Sequence, residues 1–283
     1  MTSTTPTEPL AEIARLSFLQ APSLCHPDHG CCVYHRAWSS IRLLLKGGIL
    51  PAGGAFFADG LARVAQNGVC RVLLSGAADT GVAAMVLGAL ASRGLAAELV
   101  LAERCATSVA QNRLFAKQLG MTFEVHHGDI LALECAPVAA VVAHSFINFL
   151  PETAQPTLVA TWARVLRPEG VVLMHQKLGV PPGRPVDASV VEASRINLET
   201  AALAHGYDPS TAHEIGQAGV AFWSRSKPYH FPSAEDLVGM FMQAGLECLQ
   251  LELLKKMSTG SPSHLSGVSP EVVQSLIMAR RPT

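Results

Sequence analysis

The stretch VCRVLLSGAADTG, residues 69–81, decides the expected fold. Its first half, Val69–Ser75, is rich in leucine and β-branched residues and predicts a buried strand. Small residues follow at Gly76, Ala78 and Gly81, and the next segment, Val82–Arg93, has a helical composition. A strand, a tight turn and a helix in this order leave free backbone N–H groups at the turn, where they can face a polar or anionic ligand. The stretch therefore predicts a ligand-binding turn, although a turn that binds nothing has the same pattern.

Strands and helices alternate around this turn, across residues 68–180. Four further apolar runs predict strands at Ala97–Ala102, Thr122–His126, Val138–Ala143 and Val171–His175. Two further helices are predicted between them, at Ser108–Leu119 and Pro156–Leu166. Strands that are apolar on both faces and alternate with helices form a parallel sheet covered on both sides. The expected fold class is therefore α/β, with a Rossmann-like core over residues 68–180.

The flanking regions have a different texture. Residues 1–67 predict a helical N-terminal cap, with helices at Leu10–Leu19, Tyr34–Leu45 and Ala55–Gln66. Residues 181–231 predict an inserted lid, which begins with the Pro/Gly-rich linker Pro181–Pro185 and contains one helix, Ser189–Ala204. Residues 232–283 predict the last helix and two closing antiparallel strands of the core, at Pro232–Ala244, Leu246–Leu254 and Val272–Ala279.

The composition excludes several classes of protein. Apolar residues make up 49% of the 283 residues and charged residues 15%, so a disordered chain is excluded. The 21 basic and 22 acidic residues give a net charge of −1, which disfavours a nucleic-acid partner. Charges and glycines interrupt every long apolar run, so no membrane span is expected. Seven cysteines in a long chain without a secretory pattern indicate free thiols and a cytoplasmic location.

Acidic residues follow the second and third predicted strands. Glu103 ends the run that begins at Ala97, and Asp129 follows Gly128 after the third strand. Ligands bind at the carboxyl ends of parallel strands, where Glu103 can accept the two hydroxyls of an adenosine ribose. Asp129 can accept the adenine amino group. The alternatives are a solvated glutamate at a strand end and an aspartate that caps a helix.

The order of these motifs resembles the class I S-adenosylmethionine-dependent methyltransferases. The turn, Glu103 and Gly128-Asp129 are followed by VVAHSFINFLP, residues 141–151, and by WARVLRPEGVVL, residues 162–173. The second phrase is similar to the family's LRPGG turn and is the most specific match. The resemblance implies a seven-stranded sheet, S-adenosylmethionine as cofactor and methyl transfer to an O, N or S atom of a small molecule. It also implies that a homodimer is possible.

The turn departs from the family pattern at three positions. Leu74 stands where the family usually has an acidic residue, and Ala78 and Thr80 replace glycines. Asp79 is a candidate for the missing carboxylate, and Arg42 for a partner of the cofactor's own carboxylate. The expected cofactor-binding residues are Gly76, Ala78, Asp79, Glu103, Arg104, Asp129, Ile130, His144, Ser145 and Arg42.

The acceptor is expected near the ends of the fourth and fifth strands, under the cap. His144 is a candidate general base because imidazole can take a proton near neutral pH. Tyr34 and His35 are further catalytic candidates on the cap. The expected substrate-binding residues are Trp38, Asn148, His175, Lys177, Arg195 and Tyr229. For each of these positions a structural role, in a hydrogen-bonded core or a solvated surface, is the alternative.

Residues 25–35, CHPDHGCCVYH, concentrate thiols and imidazoles and invite a zinc interpretation. Their spacing does not match a CxxC pair with a distant second pair. We therefore expect no metal here, and favour a polar loop that faces the substrate or an ordinary loop.

Other functions compete with methyl transfer. The same fold can use the cofactor for non-methyl chemistry or serve as a binding subunit, and a glycine turn can also hold NAD(P). A short-chain dehydrogenase needs a tyrosine with a lysine four residues on. Here the residues four after Tyr34, Tyr207 and Tyr229 are Trp38, Thr211 and Ser233. That type of oxidoreductase is excluded, whereas another NAD(P)-dependent type stays open.

Overall fold

The computed structural model describes residues 8–46, 53–178, 187–224, 232–254 and 273–283. The predicted linker Pro181–Pro185 and the candidate substrate residue Tyr229 lie outside these ranges. The helices are α1 (Leu10–Leu24), α2 (Cys32–Lys46), α3 (Gly54–Val64), α4 (Gly81–Ala91), α5 (Ala106–Gln118), α6 (Gln155–Val165), α7 (Ala188–Ala204), α8 (Pro209–Ser224) and α9 (Ala234–Gln243). The strands are β1 (Val69–Ser75), β2 (Ala96–Glu103), β3 (Glu124–His127), β4 (Val138–His144), β5 (Leu166–Leu178), β6 (Glu247–Leu254) and β7 (Val273–Arg280).

The seven strands form one mixed sheet in the order β3-β2-β1-β4-β5-β7-β6. The first five strands run parallel, and β7 runs antiparallel to both β5 and β6. The order reverses between β1 and β4, so a crevice opens beside the carboxyl end of β1. The parallel core and the closing antiparallel pair were both predicted.

Helices cover both faces of the sheet. Helices α3, α4 and α5 pack on one face, in a cluster that includes Phe57, Leu61 and Phe115. Helices α6 and α9 pack on the other face, around Trp162 and Phe241. The indole N–H of Trp162 donates to the Ser75 hydroxyl at 2.9 Å, which ties α6 to the end of β1.

The cap and the insertion share one hydrophobic core. Phe18 of α1 and Ile41 of α2 cluster with Leu198 of α7 and Trp223 of α8. Helix α3 was predicted to belong to the cap, but it packs against α4 and the sheet instead, because Phe57 and Leu61 face the core. The cap region therefore divides, and its first two helices join α7 and α8 in a separate helical layer.

Two elements differ from the predictions. Helix α8 was not predicted, because Gly216 and Gly219 break its helical pattern. Strand β5 begins at Leu166 rather than at Val171, so the predicted turn 167–170 is an irregular part of the strand. There the pairing with β4 shifts between Val138 and Ala140.

The last helix begins as its sequence indicates. Ser233 is the N-cap of α9, its hydroxyl accepts from the backbone N–H of Asp236, and the Asp236 carboxylate accepts from the Ser233 N–H. This capping box fixes the start of the helix. In the described ranges, no helix has the length and apolar character that a bilayer crossing requires.

Candidate functional site

A cavity of about 580 Å³ opens at the carboxyl ends of β1 to β4. Its size lies within the usual range for small-molecule sites. The register explains why the strand ends meet here, because Ser75 pairs with both Ala102 and Ala143, and Glu103 pairs with His127. The wall is formed by His29, Gly30, Cys31, Tyr34, His35, Gly76, Ala78, Ala102, Glu103, Arg104, Cys105, Gly128, Asp129, Ile130, Leu131, His144, Ser145, Phe146, Phe149, Leu150, Pro151 and Ala154.

Gly76 begins the turn after β1 in a conformation that disfavours a side chain. Its φ is +69°, and a Cβ atom would lie 1.9 Å from the ring of Phe146. The Gly76 N–H donates to the carbonyl of Ala102 at 3.4 Å. A glycine is therefore required for the turn to lie against this part of the cavity wall.

Asp79 and Arg42 lie beneath the turn rather than on the cavity wall. The Arg42 Nε donates to Asp79 at 2.7 Å, and its guanidinium also pairs with Glu8. The other Asp79 oxygen accepts from the backbone N–H of Gly81 at 2.8 Å. Both side chains are at least 98% buried. Their placement differs from the expected direct contact with the cofactor, because each charge is already satisfied by the other.

Glu103 ends β2 and reaches the cavity half-buried. Its Oε1 accepts from the backbone N–H of Cys105 at 3.0 Å. Burial raises the pKa of Glu103 to about 7, and the nearby charge of His35 opposes this shift. A carboxylate in such a place has acceptor capacity left for the hydroxyls of a ligand.

Asp129 combines the two roles that the sequence left open. It precedes a short 3-10 turn, Ile130–Ala132, and its Oδ1 accepts from the Leu131 N–H at 3.0 Å. It also lies on the cavity wall beside Ile130 and Arg104. One carboxylate oxygen therefore shapes the loop while the other is available to a ligand.

His144 and His175 stack at the carboxyl ends of β4 and β5. Their rings lie 4.3 Å apart at an interplanar angle of 13°. The Ser145 Oγ lies 3.2 Å from His175 Nδ1, and the Gln274 Oε1 lies 3.1 Å from His175 Nε2. Burial lowers the pKa of His175 to about 4, so this ring is neutral at neutral pH. His175 thus supports His144 and Ser145 from behind.

An aromatic cluster lies at the cap side of the cavity. The ring of Tyr34 stacks on that of Trp38, with 5.7 Å between the ring centroids. It also packs edge to face with Phe149, with 5.4 Å between the centroids. Phe222 of α8 contacts both Tyr34 and Trp38. Tyr34 and Phe149 line the cavity, while Trp38 and Phe222 pack behind them. This side of the cavity therefore offers an apolar, aromatic surface.

The predicted site residues that the structure describes separate into two groups. On the cavity wall are Tyr34, His35, Gly76, Ala78, Glu103, Arg104, Asp129, Ile130, His144 and Ser145. Behind or away from the wall are Trp38, Arg42, Asp79, Asn148, His175, Lys177 and Arg195. His175 is fully buried, so it reaches no substrate in this structure. Arg195 pairs with Glu192 and Glu199 on α7.

Several wall residues were not predicted from the sequence. Phe146, Phe149 and Leu150 directly follow His144 and Ser145, so their position after β4 was an available signal. Cys31 belongs to the segment 25–35, for which a loop facing the substrate was one of two expectations, and it lies on the wall. Cys105 was not predicted, and its sulfur atom lies 3.7 Å from that of Cys31 although 74 residues separate them. No spacing rule connects residues so distant in the chain.

The His35 imidazole faces Cys105. Burial lowers the pKa of His35, but the hydrogen bond with Cys105 and the nearby negative charges outweigh it, so the net shift is upward. The pKa of the Cys105 thiol is lowered by the hydrogen bond from Cys31 and, in addition, by the hydrogen bond and charge of His35. Burial acts in the opposite direction but is outweighed. These surroundings favour the thiolate form of Cys105, which lies next to Glu103 on the cavity wall.

Comparisons with known proteins identify the fold. No family profile matches the chain, and no curated protein matches its sequence significantly. Three solved structures with the same architecture are the [4+2]-cyclase SpnF, a candidate sarcosine dimethylglycine methyltransferase from Galdieria sulphuraria, and a geranyl diphosphate methyltransferase in complex with SAM.

These likenesses have TM-scores of 0.52, 0.51 and 0.52 and sequence identities of 15%, 12% and 14%. They cover 81%, 81% and 92% of this chain and 80%, 85% and 94% of the other chains. At such identities the likeness shows the fold. The expected Rossmann-like sheet of seven strands, with helices on both faces, is confirmed.

Proposed function

We propose that this chain is an S-adenosylmethionine-dependent methyltransferase that acts on a small-molecule acceptor. One observation carries the proposal: Gly76, Glu103 and Asp129, from the ends of three neighbouring strands, line a single cavity. This is the arrangement that an adenosine cofactor requires in an open parallel sheet. The fold that the chain shares with two methyltransferase structures supports the same function.

The residues on the wall fit the cofactor. Gly76 and Ala78 present backbone with little side chain, Glu103 accepts from the ribose hydroxyls, and Asp129 accepts from the adenine amino group. Ile130 offers an apolar surface to the adenine ring. When bound, S-adenosylmethionine supplies an electrophilic methyl group on its sulfonium. Arg42 and Asp79 hold the turn from below and do not contact the cofactor.

The acceptor lies between His144 and the aromatic cluster of Tyr34 and Phe149. His144 takes the proton of an O–H or N–H acceptor as it is methylated, since its neighbour His175 is neutral and adds no repelling charge. Tyr34 and Phe149 orient an apolar or aromatic part of the acceptor and exclude water. The charge balance of the whole chain favours a metabolite over a nucleic acid.

Calorimetric titration with S-adenosylmethionine, S-adenosylhomocysteine and NADPH tests the cofactor. We expect micromolar binding of the first two, weakened at least about tenfold in Glu103→Ala by the loss of a charge-assisted hydrogen bond. Glu98→Ala is the control, because Glu98 lies on the same strand and 60% of its side chain is exposed. Binding of NADPH alone contradicts the proposal.

A second function on the same fold has one observation in its favour. The fold is shared with SpnF, which is described as a [4+2]-cyclase. The same fold can therefore carry a reaction other than methyl transfer. Release of S-adenosylhomocysteine during turnover distinguishes the two functions, because a cyclisation releases none.

We further propose that the enzyme works in the cytoplasm, in a biosynthetic reaction, as a homodimer. All seven cysteines lie in the described part of the chain and are free thiols there, which fits a reducing compartment. The four-helix layer of α1, α2, α7 and α8 would act as the lid of the cavity. Light scattering of the purified chain tests the dimer, and a mass of 29.9 kDa contradicts it.

A further inference from the structure

Three cysteines from distant parts of the chain meet beside the cavity. Cys25 follows α1, Cys31 precedes α2, and Cys105 is the N-cap residue of α5. The Cys105 Sγ lies 3.6 Å from the Cys25 Sγ and 3.7 Å from the Cys31 Sγ, and all three sulfur atoms lie within 4.8 Å of one another. A tetrahedral zinc ion with bonds of ~2.3 Å to sulfur places its thiolates ~3.8 Å apart. The two distances from the Cys105 Sγ thus already match the spacing in a zinc site.

The surroundings of Cys105 suit a thiolate ligand. Cys105 lies at the N-terminus of α5, where free N–H groups favour negative charge. The Cys25 Sγ lies 3.2 Å from the Thr107 hydroxyl. Cys25 and Cys105 are 7% and 2% exposed, so bulk water does not stabilise their charge. Three sulfur atoms so close together need a cation if more than one of them is ionised.

His35 lies beside this cluster. Its side chain is 7% exposed and faces Cys105. Among the described residues, the ligand atoms that lie within 4.8 Å of one another here are the three sulfur atoms, and the His35 ring is not one of the group. His35 is therefore a neighbour of the candidate site.

We propose that Cys25, Cys31 and Cys105 bind one Zn²⁺ ion. Binding releases to solvent the protons of those thiols that are protonated beforehand, and it forms three sulfur–metal bonds with no change of oxidation state. Three protein ligands leave the fourth position of a tetrahedral ion to water. The sequence-based expectation of no metal considered residues 25–35 alone, where Cys105 was not visible.

The metal would join the cap to the core. Cys25 and Cys31 belong to the loop between α1 and α2, whereas Cys105 belongs to the turn that carries Glu103. Zinc therefore fixes the cap over the part of the cavity that we assign to the cofactor. The inference rests on the sulfur geometry and holds whether or not the enzyme transfers methyl groups.

Metal analysis of the untagged full chain tests the site. We expect one zinc per chain by mass spectrometry of the isolated protein, and the loss of zinc in Cys105→Ser and Cys25→Ser. Cys248→Ser is the matched control and retains the zinc, because Cys248 lies on β6, away from the cluster. Replacement by Co²⁺ should give the visible bands of a tetrahedral site and thiolate charge-transfer bands, which weaken in Cys31→Ser.

A measurement on the unchanged chain covers the case in which these variants do not fold. Removal of zinc by a chelator should expose three additional reactive thiols, and added Zn²⁺ should protect them again. Failure of the reduced chain to bind added zinc, or equal zinc content in Cys105→Ser, would overturn the inference. Zinc binding without S-adenosylmethionine binding would support the metal site and reject the proposed function, and the reverse result would do the opposite.

Discussion

Arg42 is a charged side chain that the fold buries completely. Its guanidinium lies between Asp79 and Glu8, which neutralise it, and the Thr80 hydroxyl adds a hydrogen bond to Glu8. Buried ion pairs add little net stability, but the loss of one partner leaves the others buried and uncompensated. Arg42 therefore holds the turn after β1 in place.

Replacement of Arg42 should show how much stability is lost when one partner of this buried network is removed. We expect Arg42→Met to lower the free energy of unfolding by about 3–5 kcal/mol, because Asp79 and Glu8 lose their counter-charge. Arg93→Met is the control and should cost at most about 1 kcal/mol, since its pair with Asp59 is solvent-exposed. Urea denaturation measures both values. Equal costs would show that the buried network does not stabilise the turn.

His175 gives the fold a dependence on pH. Burial lowers its pKa from 6.5 to about 4, so the unfolded chain binds a proton in this interval that the folded chain does not. Stability therefore falls as the pH decreases from about 6.5 to 4, by about 3 kcal/mol in total.

Urea denaturation at pH 7, 6 and 5 measures the slope of the free energy of unfolding against pH. The slope should become shallower in His175→Gln and remain unchanged in His205→Gln, because His205 is solvent-exposed and forms no side-chain ion pair among the described residues. If the slope of His175→Gln matches that of the original chain, another group is responsible.

At the scale of elements, local pattern and packing compete. Strand β1 was predicted at its observed bounds, because its apolar run ends at a turn of small residues. Helix α8 was not predicted, although Pro209 at its first position is favourable there. Its glycines serve packing instead: a Cβ at Gly219 would lie 2.6 Å from Trp223 and 2.7 Å from Leu198 of α7. Such a tertiary reason leaves no periodic signal in the sequence.

Two glycine-to-alanine substitutions distinguish the effect of helix propensity on stability from the effect of side-chain packing. We expect Gly219→Ala to destabilise the fold, because overpacking costs about 1–3 kcal/mol and exceeds the gain of about 1 kcal/mol in helix propensity. Gly239→Ala, in α9, should stabilise the fold, since a Cβ there meets nothing within 4 Å. Thermal unfolding of both variants measures the difference. A stabilised Gly219→Ala chain would show that α7 and α8 pack loosely.

For the whole molecule, the fold was more predictable than the site. The parallel core was predicted from apolar runs that alternate with helices. Glu103, Asp129 and His144 were predicted to share one site because each follows a parallel strand, and they line one cavity. What escaped prediction depends on long-range contacts, such as Cys25 with Cys105 or the shared core of α2 and α8. No local pattern encodes these pairs, because each residue alone fits an ordinary core.

Cofactor binding should stabilise the whole molecule. At a concentration 100 times its dissociation constant, S-adenosylhomocysteine should add about 2.7 kcal/mol to the free energy of unfolding, by mass action. Glu103→Ala should gain much less at the same concentration, whereas Glu98→Ala should gain as much as the original chain. Thermal denaturation measures the shift in melting temperature. An unchanged melting temperature in the original chain would contradict binding to the folded state.

The position of β7 also matters for synthesis on the ribosome. β6 lies at the edge of the sheet, and its one neighbour, β7, follows it in the chain. Translation therefore delivers β6 before the strand that it pairs with, and the outer edge of β5 is open during the same interval. Open strand edges attract other chains. We expect nascent chains to be most prone to aggregation between the emergence of β6 and that of β7, and to depend on chaperones then.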